Sequence, residues 1–165
     1  MKHNYTGELS TAYLKELQQV CKDYEKWLKE KCDALAEKLA TLGATSASIG
    51  FAQAVYDSPH NDFNITVHHN GEGSYTVRAD GTDVLFVEFG AGATMGKGHP
   101  EAGDNKMGPG TYNPQSDNWK NPYGWWYSVN GTKYHSYGNP PNMPMYNAVK
   151  NLEQELQSIV TEVFK

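Results

Sequence analysis

Val84-Leu85-Phe86-Val87-Glu88-Phe89-Gly90-Ala91-Gly92 is the stretch on which the fold turns. Its apolar run is too short for periodicity alone to separate a strand from a helix. It reads as a fourth strand of a sheet, or as a two-turn helix with Asp83 near its start and Gly90 past its end. The helix is the preferred reading, and the chain is then α+β, with helices bracketing short antiparallel pieces.

Upstream lies a β region. Ser48 to Tyr56 alternates, with Ile49, Phe51 and Val55 on one side. Asp57-Ser58-Pro59-His60-Asn61 is a turn cluster, and Phe63, Ile65 and Val67 alternate in a second strand. Asn70-Gly71-Glu72-Gly73 reverses the chain into a third strand holding Tyr75 and Val77. Short connections of this kind predict an antiparallel meander.

Before the meander, one long amphipathic helix is expected from about Ser10 to Leu42. Apolar residues recur at Leu14, Leu17, Cys21, Tyr24, Leu28, Cys32, Leu35, Leu39 and Leu42, with Lys and Glu on the other side. Ser10 or Thr11 can cap its start and Gly43 its end. The steps of three and four are close to a heptad. They suit packing on the protein's own sheet or a seam for a partner helix. Cys21 and Cys32 would lie roughly 16 Å apart along that helix, too far for a disulfide. They read as small buried apolar residues in a reducing compartment.

Downstream, Gly90 to Tyr123 is irregular and rich in Gly, Pro and Asn. A loop of this length is usually functional or mobile, and Gly96 to Asn118 is expected to order on assembly. Trp125-Trp126-Tyr127-Ser128-Val129, Asn130-Gly131 and Thr132 to Tyr137 form a hairpin signal, since Asn-Gly suits the tight turn. Gly138-Asn139-Pro140-Pro141-Asn142 reads as a linker. A last helix starts near Met143 or Pro144 and runs to about Phe164, with Met145, Val149, Leu152, Leu156, Ile159, Val160 and Val163 as its stripe. The layout is a single domain over 1–165: a helical arm to 43, sheet, loop and hairpin over 44–142, and a helix over 143–165.

Composition narrows the function classes. With 165 residues, 38 % of them hydrophobic, there is material for one core. A net charge of −5 speaks against nonspecific nucleic-acid binding, which needs clustered Lys and Arg. The chain has no apolar run of about 18 residues and no apolar segment near Met1, so neither a membrane span nor a signal peptide is expected. The sequons at Asn4, Asn64 and Asn130 are then read as chance.

Motifs for chemistry are sparse. Gly96-Lys97 lacks the glycine at 91 and the hydroxyl at 98 that a phosphate loop needs. Gly90 and Gly92 lack the third glycine of a dinucleotide fingerprint and read as backbone devices. His68 and His69 are neighbours on a strand and point to opposite faces. His99, Asp104 and His135 could meet only if the fold gathers them. Glu88 could act as a base with His135 or Asp83, on its own or in a metal-dependent hydrolase. Alternatively it holds the glycine loop by accepting backbone N–H bonds. Trp119, Tyr123, Trp125, Trp126, Tyr127, Tyr134 and Tyr137 could fill a core, meet a protein or stack sugars.

The second half resembles a family of siphophage and prophage tail components, labelled minor capsid, head–tail joining or tail-completion proteins. The resemblance rests on Phe86-Val87-Glu88-Phe89-Gly90-Ala91-Gly92, His99-Pro100 and Gly108-Pro109-Gly110-Thr111-Tyr112. It continues through Asn121-Pro122-Tyr123-Gly124-Trp125-Trp126-Tyr127 and Pro144-Met145-Tyr146-Asn147-Ala148. It covers roughly 84–165. Where many members carry an arginine before the final Pro-Ala step, this chain has Met143 and Met145 around Pro144. The resemblance implies a non-enzymatic virion protein that needs no cofactor. Such a protein resides in the virion, and in the host cytoplasm during assembly. It assembles as a ring with itself and with neck or tail proteins. Glu88, Phe89, Gly90, Gly92, His99, Pro100, Gly110, Tyr112, Trp125, Trp126 and Pro144 are its candidate assembly residues, and Leu28 and Leu35 are candidate contacts on the first helix.

Overall fold

The computed structural model describes residues 10–54, 62–104 and 117–165. The architecture is α+β, as expected. Helix α1 is Thr11–Gln53, followed by strands β1 (Asn64–Gly71) and β2 (Ser74–Asp80) and the short helix α2 (Val84–Phe89). A 3₁₀ turn at Asn118–Lys120 precedes strands β3 (Trp125–Val129) and β4 (Thr132–Ser136), and helix α3 (Pro144–Val163) closes the chain. No helix among the described residues is long and apolar enough to cross a membrane.

Helix α1 starts where expected, with the Ser10 hydroxyl accepting from the Tyr13 N–H. It does not stop at Gly43. It runs on to Gln53, so the strand expected over 48–56 is absent where the chain is described, and the meander is only the hairpin β1–β2. The physical reason is the partner. Helix α3 lies antiparallel on α1, and the small residues Ala40, Gly43, Ala47 and Gly50 let it approach. A Cβ on Gly43 would sit 3.1 Å from Leu152, and one on Gly50 would sit 2.8 Å from the Pro144 ring. Gly43 is thus a contact inside the helix, where tertiary packing offsets its poor propensity. The apparent alternation was a coincidence: Phe51 is fully buried while Ile49 is half exposed.

The core gathers around Phe51, Val84 and Val87, with Phe63, Ile65, Ala79 and Met145 against it. Phe51 stacks on Phe63 with centroids 5.5 Å apart. Hairpin β1–β2 lies along α1, pinned by the Gly73 N–H donating to Asp33 at 3.0 Å. At the far end of α3, Lys31 donates to the Val163 carbonyl at 2.6 Å, Lys38 pairs with Glu162, and Trp27 meets the edge of Phe164. The hydrogen bond from Lys38 holds the Glu162 carboxyl below the usual range. N-terminal to Trp27, α1 extends beyond its body. Cys21 sits on that extension, and both cysteines are exposed, correcting the expectation that they are buried.

Hairpin β3–β4 forms as read, with Asn130 at φ 50° and Gly131 at φ 83° making the tight turn. The segment Gly96 to Asn118 is described only to Asp104 and again from Asp117. In the part described, His99 and Ala102 are buried, so this end of the loop is anchored in the body.

Gly50→Ala tests the closeness of the two long helices. Alanine is the better helix former by about 1 kcal/mol, yet its methyl has no room against Pro144. The expected net result is a loss of about 1–3 kcal/mol in urea unfolding.

Candidate functional site: a buried junction around Glu88

Helix α3 begins with a handicap. Its cap residue, Met143, sits in the left-handed region at φ 57° and has no side-chain oxygen to offer. Pro144 lacks an N–H, so the first free donors are those of Met145 and Tyr146. Glu88, on the last turn of α2, supplies what is missing. Its Oε2 accepts from the Met145 N–H at 2.8 Å, and its Oε1 from the Tyr146 N–H at 3.0 Å. A carboxylate here also meets the positive end of the helix dipole.

His99 completes the arrangement. Its Nε2 lies 3.1 Å from Glu88 Oε1, and both side chains are almost wholly buried. The Glu101 backbone N–H donates to His99 Nδ1 at 3.1 Å. That bond fixes the tautomer: Nδ1 accepts, so Nε2 carries the proton and donates to Glu88. The imidazole is sandwiched by Phe89, with centroids 4.4 Å apart, and by the edge of Tyr146 at 5.5 Å. Three donors thus converge on one carboxylate, and both ring nitrogens of the histidine are engaged.

The return connection caps α2 in exchange. Asn139 Nδ2 donates to the Phe86 carbonyl at 2.8 Å, and the Asn142 N–H donates to the Val87 carbonyl at 2.8 Å. Ala91 and Asn139 exchange backbone bonds at 2.9 and 3.1 Å, an isolated antiparallel bridge. This needs bare backbone on the α2 side. Gly90 has φ 76°, and a Cβ there would lie 2.7 Å from the Asn139 carbonyl. Gly92, at φ 84°, lies under the Trp125 ring, 3.0 Å from where its Cβ would be.

The fold therefore gathers Glu88, Phe89, Gly90, Gly92, His99, Trp125 and Pro144 into one place. Pro100 is exposed beside it, and Trp126 lies on the outer face of the hairpin, edge-on to His135. Leu28 and Leu35 are on α1, away from the junction, and Gly110 and Tyr112 lie outside the described residues. Glu88 pairs with His99 and not with His135, which packs between Trp126 and Tyr137. The backbone it holds is the start of α3, where the glycine loop was expected. No cluster of three or more His, Cys, Asp or Glu side chains that could hold a metal forms among the described residues. Asn139 belongs to a stretch that reads from sequence as a linker. Its signal was its place between a glycine and two prolines, where the chain is stiff and short of backbone donors.

No family model, no curated protein and no solved structure matches the chain.

Two substitutions probe the junction. Glu88→Gln keeps the shape but offers one oxygen to three donors and turns an NH₂ toward them. It should lower stability by about 3 kcal/mol in chemical denaturation, because buried donors lose a charged acceptor. Gly90→Val forces a branched side chain into positive φ against the Asn139 carbonyl and should lower stability by more than about 1 kcal/mol. An unchanged melting temperature in either variant contradicts the role given to that residue.

Proposed function

We propose that this chain is a non-enzymatic structural protein of a phage or prophage virion, assembling at the head–tail junction or in the tail as a tail-completion or minor capsid component. The observation that carries the reading is the convergence of the motif residues. Segments spread over 84–148 resemble the tail-component family in order, and Glu88, Phe89, Gly90, Gly92, His99, Trp125 and Pro144 meet in one buried junction. The work they do there is structural. What supports this is that Glu88 is buried and its two oxygens accept three N–H bonds from the protein itself.

Exposed apolar surface supports assembly. Leu14, Tyr24 and Leu28 on α1 and Tyr123, Trp126 and Tyr137 around the hairpin all face solvent. In a ring, one patch meets a different patch on the next subunit. Helix α1 and the glycine loop, with the aromatic hairpin beside it, would supply the two patches. An acidic surface lining such a ring would also keep a DNA passage from gripping phosphate.

One observation favours a second reading, a carbohydrate-binding or wall-hydrolysing module. Trp126 is 65 % exposed, with Tyr137 nearby across His135, and aromatic faces of this kind stack on sugars. Trp126, unlike Trp125, can be removed without disturbing the glycine loop.

The test joins both. Purified virions of the encoding phage should contain the protein. Leu28→Asp with Leu35→Asp should leave the chain folded but yield heads and tails that fail to join in electron micrographs. Glycan arrays should show no binding that Trp126→Ala abolishes. Absence from virions, or Trp126-dependent glycan binding, overturns the assembly reading in favour of the second.

A further inference from the structure

The exposed extension of α1 carries a second message in its charges. With Leu14 as position a of a heptad, Leu17 and Tyr24 fall at d, and Cys21 and Leu28 at a. The charged residues Lys15, Glu16, Lys22, Asp23 and Lys26 all fall at b, c and f. Only Glu25 lies on the other side, at e, and Lys29 draws it away at 2.9 Å. So one whole side of the helix from Tyr13 to Leu28 is almost free of charge. Leu14 and Tyr24 on it are 44 % and 50 % exposed.

We infer that in the free protein this face pairs with the same face of a second copy, as an antiparallel two-helix seam. Orientation follows from what already occupies α1. From Trp27 onward α3 lies against it, and from Asp33 hairpin β1–β2 does too. Ala36, Leu39 and Ala40 floor a crevice walled by β2 and α3. Because α1 runs unbroken to Gln53, a second copy aligned in parallel would drive its own α3 and hairpin into those of the first. An antiparallel copy avoids this, since its body lies beyond the first copy's N-terminus.

The antiparallel register is self-complementary. Leu14 of each copy faces Tyr24 of the other, and Leu17 faces Cys21. On the flanks Gln18 meets Gln18, Val20 meets Val20, Tyr13 meets Trp27, and Glu25 meets Thr11. No like charges oppose one another. The seam begins where α3 ends, so a continuous apolar strip of α1 is covered first by its own chain and then by the second. Such a dimer has one twofold axis and one repeated patch. It stands independently of the virion reading. If both hold, the arms part before a ring forms.

The experiment uses the full chain alone. Sedimentation velocity should give a concentration-dependent dimer. Leu17→Asp should give a monomer with the thermal midpoint of the body unchanged, and Lys22→Asp, on the charged side, should stay dimeric. For orientation, a Leu17→Cys, Cys21→Ser, Cys32→Ser chain is mixed with a Cys32→Ser chain and oxidised to form direct disulfides, which need Cα atoms within about 7 Å. Antiparallel arms join unlike chains, 17 to 21, whereas parallel arms join like to like. A wild-type monomer, a dimeric Leu17→Asp variant or like-to-like products each overturn the inference. None of these outcomes bears on whether the protein is found in virions.

Discussion

One carboxylate decides where the second half of the chain goes. Helix α3 cannot cap itself, because Met143 and Pro144 provide neither a side-chain acceptor nor a first N–H. Its opening donors would be buried without a partner, at a cost of about 1–3 kcal/mol each. Glu88 removes that cost and, through His99, fixes the loop that follows the glycines. Asn139 and Asn142 hold the end of α2 in return. Neither helix end is complete without the other, so α2, the His99 loop and the start of α3 form as a unit.

The same junction explains why its residue types keep company. A glutamate two residues before a glycine puts the carboxylate on the last helical turn and lets the chain leave in positive φ. The glycine then clears the Asn139 carbonyl, and the next one, at 92, clears the Trp125 ring. Phe89 and Tyr146 seal the histidine from water. Substituting any one of them leaves another with an unmet bond or an unfilled space.

Local signals were legible where local physics decides the outcome. Asn130-Gly131 sets its own turn, α3 spans the stretch its periodicity marks although Val149 and Leu156 of the expected stripe are exposed, and Ser10 caps α1 as its side chain dictates. Two misreadings along α1 share a cause. Gly43 looks like a terminus until Leu152 is placed over it, and Ile49 and Phe51 look like part of a strand until Pro144 of α3 is placed against Gly50 between them. In both cases a contact more than ninety residues away in sequence overrides propensity. Glu88 could be recognised as structural, but not matched to its donors. Nothing between Glu88 and Met145 marks which N–H groups will lie opposite the carboxylate.

The two ends of α1 have opposite characters. At Gly43 to Phe51 the helix is closed over by α3 and the core, at separations where a single methyl does not fit. From Tyr24 back to Thr11 it carries an apolar face, with Leu14 and Tyr24 about half exposed, and its charges other than Glu25 lie on the other side. A helix kept only to cover a small sheet would have no reason to continue for 16 residues past Trp27, about 24 Å. Since isolated helices of this length are marginal in water, the arm draws its order from the body at one end. It gains most from being covered along the rest. Stability is therefore concentrated where the chain meets itself, and association where it does not. A change of partner at the arm can leave the Glu88 junction untouched.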